Sequence, residues 1–322
     1  MSGIAAWTGR PLPLTVPPYP NETIGSYINR LAIRNRLDAV ALRNYLTGSH
    51  MSTAPIHLDR LVQLTGQHRT SLAHAMPQLH QHNQFRQFHL HHRRTRPACT
   101  RCTAAKGISV QVSCQLRDED VLCHRHLRWL GSYHHNNTQP RLDNHPQILR
   151  ANRRHRQLIS RYGSDLIDQA HREATYICQH WYRHHDHTDS FLANLNTFHS
   201  TPPTTLLQLN PIFEAAPILE AAAYPQIVAL TRLLASPYWK HLPLGNETQI
   251  QTFTDELHRT VSPNFDWIAR ILRGQPDPLA AMFCAQALAV AQDQRQAPYL
   301  AAVVAHARQQ LVTAITARAT TP

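Results

Sequence analysis

Residues 99–102 read "CTRC" and residues 123–126 read "CHRH", two tetrads with twenty residues between them. A Cys-x2-Cys step places two sulfurs on one tight turn. A Cys-x2-His step does the same with a sulfur and an imidazole nitrogen. Joined by an insert of hairpin length, the two steps supply four donors, the number that closes a tetrahedral Zn2+ site. Four protein ligands leave no coordination position for water, so the one metal ion expected at Cys99, Cys102, Cys123 and His126 is structural rather than catalytic. Such an ion stands in for the core of a segment too small to have one, and its binding, coupled to folding, is worth on the order of 10 kcal/mol. His124 competes locally with His126, but the x2 spacing favours His126. Cys114, in the middle of the insert, reads as a buried thiol. A second grouping, Cys178 with His180, His184, His185 and His187, falls in a chain that holds 24 histidines. Such groupings arise freely there, and this one reads as a packed cysteine beside exposed imidazoles.

Upstream, "HQHNQFRQFHLHHRRTR" (80–96) is polar, basic and dotted with Phe85 and Phe88. It reads either as a ribbon strand or as a connector, with Arg93, Arg94 and Arg96 in reach of phosphates. Before it, "HLDRLVQLTGQHRTSLAHAMPQL" (57–79) has two apolar faces at helical spacing on either side of Gly66. This is the pattern of a helix-turn-helix, whose second helix enters a DNA major groove with its leading residues. Gln67, His68, Arg69 and Thr70 occupy that leading end. Nearer the start, Asn21 is a plausible N-cap for a helix whose face carries Ile24, Tyr27, Ile28, Leu31 and Ala32, and Asp38 can cap the next. Residues 1–20 are Pro-rich and extended.

Downstream, the chain reads as helical from residue 150 on. "RANRRHRQLISRYG" is basic, and Arg153 and Arg154 are candidate phosphate contacts. The stretch at 199–211 is a candidate break, and the Ala/Leu-rich segments beyond it are further helices. Segments 1–90, 91–140 and 141–322 thus divide the chain. The fold class is mainly α: an N-terminal helix-turn-helix domain, a small zinc-ribbon-like module and a C-terminal helical domain.

The net charge of +12 is unevenly placed, since residues 1–160 carry +14 and residues 161–322 carry −2. A polyanion-binding half and a neutral half with another task are implied, and DNA is the expected polyanion. The longest apolar run, "LAAMFCAQALAVA" (279–291), broken only by Gln286, is too short to span a bilayer and reads as a buried helix. The N-terminus has no basic start followed by an apolar stretch, so no signal peptide, no membrane and a cytoplasmic location are expected. No Gly-rich phosphate loop or His-Glu-x-x-His step is present. The acidic trio Asp118, Glu119 and Asp120 reads as a solvated turn. A binding protein without catalytic residues is therefore expected.

The order of these features resembles the TniQ family of transposition target-selection proteins. In "LPLTVPPYPNETIGSYINRLAIRNRL", Pro20, Glu22, Thr23, Ser26, Arg30, Leu31 and Ala32 fall where the family's opening element has its Pro, Glu, Ser/Thr and "RLA" positions. The Cys99/Cys102 and Cys123/His126 pairs with Leu130 are similar to its zinc-binding block. Thr100 and His124 depart from the pattern, where members often carry Pro. The resemblance covers roughly the first 130 residues. It implies a DNA-associated adaptor that links DNA, or an RNA-guided complex, to an AAA+ ATPase regulator and through it to a transposase. A homodimer is compatible with this. The competing expectations are a zinc-containing helix-turn-helix transcription regulator and, further off, a metal-dependent nuclease or hydrolase.

Overall fold

The computed structural model describes residues 10–50, 54–80, 93–131, 139–183, 216–261, 277–279, 281–283 and 285–286. They are mainly helical, with a few short strands. The chain divides into two compact units. Residues 1–143 with 211–217 form one, and residues 144–210 with 218–322 form the other. The expected break at 199–211, the linker at 81–92, Cys284, and His184, His185 and His187 lie outside the described residues.

In the first unit, four helices gather around one apolar cluster: α1 (Ile24–Asn35), α2 (Ala39–Thr47), α3 (Leu58–Thr65) and α4 (Arg69–Ala75). The i, i+3, i+4 spacing of Tyr27, Ile28, Leu31 and Ala32 puts them all on the buried face of α1. Leu42 and Leu46 from α2, Leu61 and Leu64 from α3, and Leu72 and Met76 at the end of α4 complete the cluster. Each large side chain removed from water stabilises the fold by roughly 1.5–3 kcal/mol. The Asp38 carboxylate caps α2 as its sequence predicts, accepting from the Ala41 N–H at 2.7 Å. For α1 the cap is Thr23 rather than Asn21. The Thr23 hydroxyl oxygen accepts from Ser26 at 3.2 Å, and Gln78, in the 3-10 turn Pro77–His80, accepts the Ile24 N–H at 2.7 Å. Asn21 instead takes a left-handed conformation, φ 59°, which Asn tolerates better than most residues. Gly66 closes α3 at φ 63° and turns the chain into α4, a position where a Cβ would be strained.

The Pro-rich lead is not a free tail. Leu12 and Val16 are buried in the helical cluster, and the Leu12 N–H donates to Leu64 at 2.8 Å. The Asn35 side chain brackets Leu14, accepting its N–H at 3.1 Å and donating to its carbonyl at 2.8 Å.

Beyond the helices, the described residues of this unit form two antiparallel strand pairs. β1 (Arg93–Pro97) pairs with β2 (Ser113–Arg117), from Arg93 opposite Arg117 to Pro97 opposite Ser113. The short helix α5 (Thr100–Ala104) follows β1. β3 (Leu122–Cys123) pairs with β4 (Arg128–Trp129). On β2, residues 21–23 pair antiparallel: Thr23 donates to Ser113 at 2.8 Å and Gln115 donates to Asn21 at 2.7 Å. The segment that leads into α1 is thus a backbone extension of the β1–β2 sheet. This pairing is what displaces the helix cap from Asn21 to Thr23.

The described residues of the second unit are mainly helical: α6 (Pro146–Tyr162), α7 (Ser164–Arg183), α8 (Ala216–Ala235), α9 (Pro237–His241) and α10 (Glu247–Thr260). Pro146 opens α6, where its missing N–H costs nothing. Asn246 and Gln249 form a capping box on α10. The interior is partly polar. The Tyr224 hydroxyl meets Asn152 at 3.2 Å and His155 at 2.9 Å, His155 stacks on His171 at 4.4 Å, and His171 meets Thr231 at 3.2 Å. The Trp181 indole donates to Asp277 at 2.9 Å. Cys178 is fully buried in this core, and burial alone raises its thiol pKa. By length and composition, Ile218–Ala235 of α8 is apolar enough to cross a membrane, but 67% of that stretch is buried inside the unit, as in a core helix.

Candidate metal centre

β1 runs into Cys99, which caps α5 with an extended backbone, and one helical turn carries the chain to Cys102. Cys123 ends β3, and His126 lies in the turn before β4, which Leu127 closes at φ 45°. The two knuckles bring their four donor atoms within 4.8 Å of one another. Cys102 Sγ lies 3.7 Å from Cys123 Sγ. His126 Nδ1 lies 3.5, 3.2 and 3.7 Å from the sulfurs of Cys99, Cys102 and Cys123. A tetrahedral ion with bonds of about 2.3 Å to sulfur and about 2.0–2.1 Å to nitrogen requires edges of about 3.8 Å and about 3.5 Å. These four edges lie close to those of such a cage, and the remaining two are no longer than 4.8 Å. The thiols form no disulfide. His124 is exposed and outside the set.

The Cys102 thiol is pushed up to about 12, first by burial and then by hydrogen bonding and charge from Cys123 and Cys99. A bare Cys102 thiol of this kind holds its proton at neutral pH and gives it up to a cation. Tyr19 packs close by, its phenol pKa raised by burial and then by the neighbouring sulfurs, with Lys106 4.8 Å over its ring. Cys114 is 1% exposed. Its Sγ sits 3.6 Å from the Pro20 carbonyl, apart from the four donors, and burial pushes it up to about 12.

Two supports brace this centre, and the first escapes a reading of the sequence. Gln139 donates to the Ala98 carbonyl at 2.8 Å and accepts from the Thr100 N–H at 2.9 Å, gripping the chain on both sides of Cys99. Its own carbonyl accepts from Arg128 at 3.0 Å, which ties the first knuckle to the second hairpin. Nothing in "NNTQP" signals this role. The other support is Glu22, 0% exposed, paired with Arg30, 4% exposed, through contacts of 2.8 and 2.6 Å. Glu22 also accepts from Ser26 Oγ at 2.9 Å and from the Tyr19 N–H at 2.9 Å, while Arg30 donates to Pro17 at 2.9 Å. Ser26 in turn accepts the Ser113 N–H at 3.0 Å. The spaced Glu, Ser and Arg of the opening element therefore join the helices to the β1–β2 sheet. Their spacing marks them, but the β2 partner could not be read from it.

The candidate phosphate contacts are scattered. His68, Arg69 and Thr70 are exposed at the start of α4, and Gln67 is half-buried beside them. His68 meets Thr70 at 2.7 Å, and Arg69 pairs with Asp59 on α3. Arg93 opens β1 opposite Arg117. Arg94 is exposed and pairs with Asp118 at 3.0 Å. Arg96 is 2% exposed and faces Asp118 at 3.7 Å, so its guanidinium braces the ribbon and offers no surface to a phosphate. Asp118 and Glu119 are buried rather than forming a solvated turn, because the arginines of β1 draw Asp118 inward. Arg153 and Arg154 are exposed on α6, in the other unit. No known protein family, curated protein or solved structure matches the chain.

Proposed function

We propose that the chain is a DNA-associated adaptor of the TniQ type, built around one structural Zn2+ held by Cys99, Cys102, Cys123 and His126. In this reading it links DNA or a targeting complex to an AAA+ ATPase and a transposase. The observation that carries it is the four-donor cage joined, through Glu22, Ser26 and Arg30, to a basic helical module. A cage filled by three thiolates and an imidazole shapes the scaffold and leaves no site for activated water. α3, the Gly66 turn and α4 serve as a helix-turn-helix, with Gln67, His68, Arg69 and Thr70 at the leading end of its second helix. Arg94, Arg153 and Arg154 supply further phosphate contacts. Residues 1–143 carry +10 of the net +12 charge, which favours a polyanion on that unit.

The test has two parts. The purified protein should contain about one zinc per chain, and it should retain an AAA+ ATPase encoded beside it in a pull-down. A chain that holds zinc and binds DNA but captures no ATPase would instead be the transcription regulator that shares this scaffold.

A further inference from the structure

At one corner of the second unit, α8 and α10 bring arginines to a single carboxylate. Glu256 on α10 accepts from Arg259 Nε and Nη2, both at 2.8 Å, and also pairs with Arg232 of α8. Arg232 lies 5.8 Å over the ring of Trp239, and its Nε is buried without an acceptor among the described residues. Arg154 of α6 is a third arginine, on which the charges of this group act. It has no carboxylate in ion-pair contact among the described residues, and burial, followed by the charges of Arg232 and Arg259, lowers its guanidinium pKa. Among the described residues, one carboxylate against three guanidiniums leaves about two positive charges uncompensated in a unit that is otherwise nearly neutral. Beside them, Tyr238 is 61% exposed and packs edge-on against Trp239 at 5.1 Å.

We infer that this corner is a phosphate-binding site, in which Arg154, Arg232 and Arg259 take the oxygens of a phosphate group and the Tyr238–Trp239 pair offers a stacking face to the moiety that carries it. Guanidinium forks suit phosphate oxygens, and aromatic faces beside cations are how proteins hold unpaired bases. The phosphate has two sources, a nucleic-acid strand or a free phosphate ester. The site rests on the adaptor reading only for that choice of source.

The test uses the full chain and an Arg154→Ala/Arg259→Ala double variant, both positions being exposed. An Arg150→Ala/Arg161→Ala variant removes the same charge from α6 alone. One arm measures melting in inorganic phosphate against chloride of equal ionic strength. The other measures anisotropy of a labelled single-stranded oligothymidylate. Phosphate should raise the melting temperature of the wild type and of the control but not of the double variant. Oligonucleotide affinity should fall about tenfold in the double variant alone, with the salt slope reduced by about 1. A response in the phosphate arm only supports the site with a free ester as its source. A response in the oligonucleotide arm only supports it with a strand as its source. No response in either arm, or an equal loss in the control, overturns it. Capture of the ATPase is scored separately, so failure of the adaptor reading is not mistaken for failure of this site.

Discussion

At the scale of single residues, the two kinds of cysteine in the first unit separate cleanly. Cys102 touches Cys123 and His126, whereas Cys114 touches the Pro20 carbonyl. Cys102→Ser should therefore release about one zinc per chain and unfold the first unit, while Cys114→Ser keeps its metal; elemental analysis beside thermal melting checks both. Because burial and its sulfur neighbours hold the Cys102 thiol near 12, zinc uptake by the bare protein must expel protons. Metal affinity should accordingly weaken as pH falls. The Glu22–Arg30 pair makes a second residue-scale claim. Glu22→Gln keeps the shape but leaves Arg30 buried without its counter-charge, which typically costs about 3 to 5 kcal/mol. Denaturant unfolding of the full chain measures that loss. A cost near zero would mean that Arg30 finds water in the fold, contrary to its burial.

At the scale of elements, what the sequence made legible was local. Helical spacing marked the buried face of α1, Asp38 marked a cap, Gly66 marked a turn, and the two Cys-x2 steps marked the donors. What stayed hidden was long-range. The pairing of residues 21–23 with β2 and the reach of Gln139 to Ala98 and Thr100 join positions dozens of residues apart. Neither leaves a period or a spacing behind, so the sequence points to Asn21 rather than Thr23 as the α1 cap, and the pull of Arg94 and Arg96 on Asp118 is equally silent in it. Gln139 yields a test. Gln139→Ala strands the Thr100 N–H and the Ala98 carbonyl, so a chelator should strip zinc roughly tenfold faster or more, as expected when a ligand loses its outer support. In the second unit, the tie between α8 and α10 runs through Glu256. Arg259 above all, with Arg232, lowers that carboxyl below its ordinary 4.5. A depressed acid stabilises the fold above its unfolded value, and the contribution disappears as pH falls through the folded value. Below about pH 4.5 the wild type should lose stability that a Glu256→Gln variant, already weaker at neutral pH, has no more of to lose. Melting curves across that range compare the two.

At the scale of the whole molecule, charge and architecture divide at nearly the same place. Residues 1–143 hold +10, and the remainder holds +2. The second unit's positive charge is not spread evenly, because α6 carries five arginines and no carboxylate. Cationic residues in both units make a graded prediction for nucleic-acid binding. Each neutralised phosphate releases condensed counterions, so the logarithm of affinity falls with the logarithm of salt by about 0.9 per contact on a duplex. If the first unit engages about six phosphates, affinity should drop on the order of 1,000-fold between about 50 and 200 mM salt. Arg69→Ala should shallow that slope by about 1 whatever the DNA sequence, because a phosphate contact carries no base information. Arg96→Ala should leave the slope unchanged and lower thermal stability instead, because its guanidinium is buried against Asp118. Fluorescence titrations over a salt series separate the two variants. A flat salt dependence for the wild type would remove the polyanion from the first unit, while equal slopes for the two variants would mean that the exposed end of α4 does not face DNA.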